Sequence, residues 1–229
     1  MARDFDGIDD KAQYATEGSQ FTIGAITISL WINPDNFTSG GNAARIVHKG
    51  PNARGYFEIV CDGTTTPDRV GFGRDYVTTD LVRVFAVPAL KVWTNLVFTH
   101  NNGDLASGIF GYFNGVSQSP TGIDSNGTGG RTADTNVMAI GGRTFDTARA
   151  FNGRIAEVGI WNRVLKKEEI TALSKGYAPT FLQRGLLFYT PIRGNNANEP
   201  DFKGGARATL TGTTKANHPR IIYPRNFSR

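Results

Sequence analysis

The sequence has few of the residues from which catalytic and metal centres are usually built. Its 229 residues include one cysteine and three histidines. A lone cysteine cannot form an internal disulfide, so Cys61 is expected to be a reduced thiol in or near the core. The histidines lack the spacing of a local metal motif: they are His48, His100 and His218. A nucleophile elbow and a phosphate-binding glycine loop are also missing from the sequence.

Long apolar segments and basic clusters are missing as well. No run of 18 apolar residues occurs, so no membrane-spanning helix is predicted. The opening Met-Ala-Arg-Asp-Phe-Asp-Gly has no apolar stretch after its charge and does not resemble a signal peptide, so synthesis in the cytoplasm is expected. The net charge is +5. Because lysine and arginine do not alternate with aromatic residues, no nucleic-acid partner is predicted.

Glycine, by contrast, is abundant, and its 28 residues separate short aromatic and β-branched segments. Residues 25–32 alternate apolar and polar side chains with the period of a half-buried strand. Asn114-Gly115 predicts a type I′ hairpin turn, because both positions of that turn need a positive φ. Only residues 164–173 have a helical pattern, ending before Gly176.

About ten such segments and one short helix near residues 165–175 predict an all-β fold, a two-sheet antiparallel jelly-roll β-sandwich. Ile155 and Ile160 fall in opposite registers of one strand, so a bulge between them is predicted. Trp31, Phe98 and Trp161 are expected in the core.

Several motifs, in this order, resemble the laminin-G-like members of the concanavalin A-like lectin and glucanase jelly-roll family, of the kind found in phages. They are Phe5-Asp6-Gly7-Ile8-Asp9-Asp10, residues 28–34, residues 93–100, Tyr112-Phe113-Asn114-Gly115 and residues 151–163. The resemblance implies a domain over residues 1–176. Residues 177–229 would form an extension that packs on the sandwich or on a neighbouring molecule.

Some members of this family are β-glucanases, which carry acids at i, i+2 and i+4 of one strand. None of the 20 carboxylates has that spacing here. We therefore assign no catalytic residue and expect a protein that is not an enzyme. A glucan hydrolase built from distant residues remains the third hypothesis.

Calcium is the one cofactor that the resemblance raises. Many family members bind one Ca²⁺ at a sheet edge, and the matching positions here are Asp6, Asp9, Asp10 and Glu157. Ala156 stands where the family has a further aspartate, which removes one oxygen ligand. Bound calcium and a plain turn therefore both stay open.

Two binding functions lead the hypotheses. The first is a bacteriophage virion surface protein, a capsid decoration, tail or fibre component, located on the virion and in contact with other virion proteins or with further copies of itself. The alternative is a carbohydrate-binding lectin, which needs exposed aromatic residues. Tyr56, Tyr76 and Trp93 are the candidates for contact with a polysaccharide.

The C-terminal segment is the candidate docking surface for a protein partner. Residues 203–229 carry six lysine and arginine residues and no acid. Leu210 and residues 221–223 alternate with polar residues well enough to add a strand to a sheet edge, with Pro219 and Pro224 as its bounds. The predicted docking residues are Lys203, Arg207, Lys215, Arg220, Ile221, Ile222, Tyr223, Arg225 and Arg229.

Overall fold

The computed structural model describes residues 2–15, 21, 24–50, 56–65, 67–122, 124–132, 137–194 and 198–225. Within these ranges the strands form two antiparallel sheets of eight strands each. In spatial order, sheet 1 consists of β11 (Val116–Ser117), β10 (Ile109–Phe113), β9 (Thr94–His100), β3 (Ile26–Pro34), β13 (Asn152–Trp161), β1 (Ala2–Asp6) and β16 (Thr214–Ala216), with β14 (Leu186–Thr190) paired to β13. Sheet 2 consists of β15 (Ala208–Thr211), β2 (Lys11–Tyr14), β12 (Met138–Ile140), β5 (Asn42–Lys49), β6 (Phe57–Asp62), β7 (Arg69–Arg74) and β8 (Leu81–Ala86), with β4 (Thr38–Ser39) paired to β5.

The main core lies between the two sheets. Strand β3 shows how the sequence builds it, because Ile26, Ile28, Leu30 and Ile32 all belong to the core cluster and are fully buried. Successive strand residues point to opposite faces, so the residues between them project from the outer face of sheet 1. The all-β sandwich predicted from the alternation is confirmed.

A second, smaller core covers part of that outer face. Helix α1 (Lys167–Ser174) places Ile170 and Leu173 against Val97 and Trp161. Its first turn is fixed by Glu169, which accepts the backbone N–H of Lys166 at 2.8 Å. The helix lies within the predicted 165–175 segment and is the one α-helix in the described ranges.

Two local predictions are confirmed at backbone level. Asn114 and Gly115 have φ of 49° and 79°, as a type I′ turn between β10 and β11 requires. Strand β13 changes register against β3 between Ala156 and Gly159, and Glu157 has a φ of 57°. This bulge lets Ile155 and Ile160 both reach the main core.

The C-terminal segment joins both sheets. Strand β15 pairs with β2 in sheet 2, and β16, after a turn at Gly212, pairs with β1 in sheet 1. These two strands therefore cover one edge of each sheet. The strand expected at residues 221–223 is replaced by a single parallel bridge between Tyr177 and Ile222. The domain boundary at residue 176 stays a prediction.

None of the helices in the described part of the chain has the length and apolar character needed to cross a membrane.

Candidate functional site

The two candidate tyrosines are packed inside the protein. Tyr56 is 6% exposed and Tyr76 is 4% exposed. The Tyr76 ring lies against Gly127, where a Cβ would overlap it, and its hydroxyl donates to Asp104 at 2.8 Å. A buried ring offers no face to a sugar, so the structure contradicts the prediction that these tyrosines bind a glycan.

Trp93 has a different environment, and it has a tryptophan neighbour. Trp93 directly precedes β9, whose Thr94 pairs with Ile32. Continuing this register places Trp93 diagonally across from Trp31 on the same face of sheet 1, at a separation that aromatic side chains can bridge. Both indoles are half-buried. The expectation that Trp31 belongs to the core is therefore wrong, whereas Phe98 and Trp161 are fully buried as predicted.

The two indoles line a groove of about 570 Å³ on the outer face of sheet 1. We call it the tryptophan groove, and its lining residues are Trp31, Trp93, Ser174, Lys175, Gly176, His218, Pro219, Arg220 and Ile222. One wall is the end of α1 and another is the C-terminal segment. These walls are joined where the backbone N–H of Ile222 donates to the carbonyl of Gly176 at 2.7 Å. A Cβ at Gly176 would overlap the Arg220 carbonyl, so glycine permits this approach.

Glu157 anchors the C-terminal wall of the groove. Its carboxylate is 1% exposed and accepts hydrogen bonds from Tyr189 at 2.7 Å and from Tyr223 at 2.6 Å. His218 Nε2 lies 3.2 Å from the same carboxylate. Burial, followed by the charge of Glu157, raises the pKa of Tyr189 and of Tyr223, so both phenols keep their protons and act as donors.

Three of the four predicted metal ligands come together at the turn between β1 and β2. Oxygens of Asp6, Asp9 and Asp10 all lie within 4.8 Å of one another. The fourth, Glu157, is not with them. It lies five residues along β13 from Asn152, the partner of Asp6, a distance of about 16 Å at strand spacing.

Comparison with known proteins decides the family. A family model for the concanavalin A-like lectin/glucanases superfamily matches residues 6–171, which is most of the chain. The chain belongs to this superfamily. No curated protein sequence matches it.

Solved structures with this superfamily's fold are similar in shape but distant in sequence. A putative carbohydrate binding protein from Bacteroides ovatus is 19% identical with a TM-score of 0.68, covering 96% of this chain and 61% of that one. A heptameric SAP-like pentraxin from Limulus polyphemus is 13% identical with a TM-score of 0.54, covering 76% of this chain and 81% of that one. The chain thus spans about three fifths of the Bacteroides protein. At these identities the likeness shows the fold alone.

The aspartate turn provides only some of the oxygen ligands that a calcium site needs. Burial, reinforced by the charges of Asp6, Asp9 and Asp4, raises the pKa of Asp10 to about 6. A cation would relieve this repulsion, and hard carboxylate oxygens suit Ca²⁺. The β15–β16 turn closes over the site, because a Cβ at Gly212 would overlap the Asp10 carboxylate. With Ala156 and Glu157 contributing no ligand there, backbone oxygens and water would have to complete the coordination shell.

The predicted docking residues fall into two groups. One group is solvent-exposed, and it consists of Lys203, Arg207, Lys215, Arg220, Ile222 and Arg225. Ile221 and Tyr223 are half-buried, and Tyr223 is bonded to Glu157 of its own sandwich. Arg229 lies outside the described residues.

Proposed function

We propose that this protein is a non-enzymatic carbohydrate-binding module that holds a neutral sugar chain in the tryptophan groove. The observation that carries the proposal is the pair of half-buried indoles, Trp31 and Trp93, on one face of sheet 1. The Bacteroides ovatus protein with the same fold, a putative carbohydrate binding protein, supports the assignment.

The chemistry of the groove suits a sugar. A pyranose ring has an apolar C–H face that packs on an indole, and hydroxyls at its rim that need hydrogen-bond partners. The groove offers Lys175, His218 and Arg220 around the two indoles. Its volume of about 570 Å³ falls within the range of small-ligand pockets.

Tryptophan fluorescence gives a direct test. The chain has three tryptophans, and Trp161 is fully buried, so ligand in the groove should perturb the emission of the other two. We would titrate the protein with cellohexaose, maltohexaose, laminarihexaose and xylohexaose, and measure affinity by calorimetry. Trp93→Ala should weaken the binding of the recognised sugar about tenfold or more, which corresponds to roughly 1.4 kcal/mol.

Matched variants separate stacking from a general effect. Trp93→Phe keeps an aromatic face and should restore part of the affinity. Phe110→Ala removes an aromatic side chain that is 47% exposed on β10 and does not line the groove, so it should leave affinity unchanged. Equal losses in Phe110→Ala and Trp93→Ala would refute the assignment of the groove.

The absence of catalysis is part of this proposal. Glu58, an acid on the outer face of sheet 2, is fully buried and ion-paired with Arg45. Pure protein incubated with laminarin should release no more reducing sugar than a heat-killed control. Release above that level would contradict the proposal.

A finer proposal places the module on a bacteriophage virion, in contact with other virion proteins or with copies of itself. Its support is the charge of the C-terminal segment, whose five described lysines and arginines are exposed, while Glu199 and Asp201 are buried. Such a basic surface fits an acidic protein surface. Mass spectrometry of purified phage particles should detect the chain in the copy number expected of a structural protein. Its absence from the particles would refute this proposal.

A further inference from the structure

A second depression lies on the outer face of the other sheet. It is a cleft of about 350 Å³ over β5 to β8, and we call it the arginine cleft after its four arginines, Arg45, Arg69, Arg143 and Arg149. Asp62 is the one carboxylate in its lining. The floor between these charges is apolar, formed by valines of β6 and β8 and by Gly71.

The carboxylates near the cleft leave the lining cationic. Glu58 pairs with Arg45 from a fully buried position, and Asp146 binds Arg143 from the side at 2.9 Å. The side chain of Arg69 makes no hydrogen bond or ion pair with any described residue. Burial is the main cause of a lowered pKa at Arg143, and the nearby charges of Arg149 and Arg45 lower it further. The guanidinium groups of Arg149 and Arg45 are therefore close enough to Arg143 to repel it.

The loop that carries two of these arginines is held firmly in place. The backbone N–H of Arg45 donates to the carbonyl of Arg149 at 2.9 Å. Lys11 Nζ donates to the carbonyl of Arg143 at 3.3 Å, and Thr144 Oγ1 donates to the carbonyl of Gly50 at 2.6 Å. Arg149 itself has a φ of 129°, a conformation that residues other than glycine seldom adopt. Such strain is concentrated at functional sites, where the surrounding structure enforces it.

We infer that the arginine cleft binds an acidic glycan, with a sugar carboxylate or sulfate ester held by the half-buried guanidinium groups of Arg69 and Arg149. The planar guanidinium fork donates two parallel hydrogen bonds to such an oxyanion. The half-buried side chain of Val82, on the valine floor, can support the C–H face of the ring that carries it. This site is on the opposite sheet from the tryptophan groove and selects for charge, so it extends the proposed function to a second class of sugar.

Affinity electrophoresis in 0.15 M NaCl tests the inference, with polygalacturonate as the carboxylate probe, dextran sulfate as the sulfate probe and dextran as the neutral control. Polygalacturonate or dextran sulfate should retard the protein. Any retardation by dextran should be the same in the wild type and in the arginine variants. Arg69→Gln and Arg149→Gln should each weaken retardation by the acidic polymer about five- to tenfold. Arg69→Lys, which keeps the charge but loses the fork, should have an intermediate effect.

Two controls make the result decisive. Arg184→Gln removes the same charge from an exposed position outside both depressions and should change retardation less than twofold. Trp93→Ala should leave retardation by the acidic polymer unchanged, so a failure of the groove proposal and a failure of this inference can be told apart. Any of three results would overturn the inference. They are equal effects of Arg184→Gln and Arg69→Gln, retardation by double-stranded DNA equal to that by the acidic polymers, and no retardation by either acidic polymer. Melting curves verify that each variant is folded.

Discussion

Tyr223→Phe tests whether the C-terminal segment is held to the sandwich by a buried carboxylate. The change deletes one hydroxyl, which donates to Glu157 at 2.6 Å, and leaves the ring in place. A hydrogen bond to a charged group contributes about 1.5–3 kcal/mol. Glu157 keeps Tyr189 and His218 as partners after the change, so the lower part of this range applies, and we expect a loss of about 2 kcal/mol.

The effect should be readily measured in a chain of this size. For 150 to 250 residues, 1 kcal/mol shifts Tm by roughly 2–4 °C, so Tyr223→Phe should lower Tm by roughly 4–8 °C. Urea unfolding followed by circular dichroism gives the free energy directly. Tyr177→Phe is the matched control, because Tyr177 is 39% exposed and its hydroxyl has no hydrogen-bond partner among the described residues. A loss below about 0.5 kcal/mol, or an equal loss in Tyr177→Phe, would show that the contact does not stabilise the fold.

Four further predictions concern metal, acid, thiol and truncation. Millimolar Ca²⁺ should raise the Tm of the wild type and not that of Asp10→Asn, and an equal calcium shift in both would rule out the site. In EDTA at pH 7, Asp10→Asn should itself be more stable than the wild type, because it removes a charge whose burial, together with repulsion from the other aspartates, raises the pKa of Asp10 to about 6. Burial lowers the pKa of His100 to about 4, so between pH 6.5 and about 4 the unfolded chain binds a proton that the folded chain does not. The free energy of unfolding should therefore decrease as the pH is lowered through this range, and an unchanged pH profile in His100→Gln would refute this. Burial raises the pKa of Cys61 to about 12, so the thiol should not react with Ellman's reagent in the native protein and should react only after unfolding. Rapid labelling of the native protein would contradict the burial of Cys61. Deletion of residues 203–229 should lower Tm and abolish the salt-sensitive association with phage particles. A truncated chain that melts and associates like the full one would argue against both the stabilising role and the docking role of the segment.

The features that could be predicted from the sequence are those fixed by local geometry. Alternation in residues 25–32 gave a strand because the side-chain period of a strand is two, and Asn114-Gly115 gave a turn because few residues accept two positive φ values. The bulge near Glu157 followed from a conflict between two apolar residues of one strand. The aspartate turn was found because its three acids are close in sequence.

Exposure of single aromatic residues could not be predicted in the same way. Alternation assigns Trp31 to the outer face of sheet 1, but whether that face is covered depends on where α1 and the C-terminal segment pack. Tyr76 is buried because Gly127, about fifty residues away, leaves room for its ring. The strands at residues 208–211 and 214–216 are short and rich in threonine, and their partners are the first strands of the chain, so no local pattern marks them.

The pairing of β15 with β2 and of β16 with β1 also constrains the order in which the fold can be completed. Arg3 bonds to Thr213 across 210 residues of sequence, so β1 and β2 gain their outer neighbours only after residues 208–216 have been synthesised. Contacts of such sequence separation form slowly, and unpaired strand edges invite association with other chains. A nascent chain therefore carries two open strand edges until β15 and β16 have left the ribosome. Premature termination before β15 should yield aggregates in place of a smaller soluble domain.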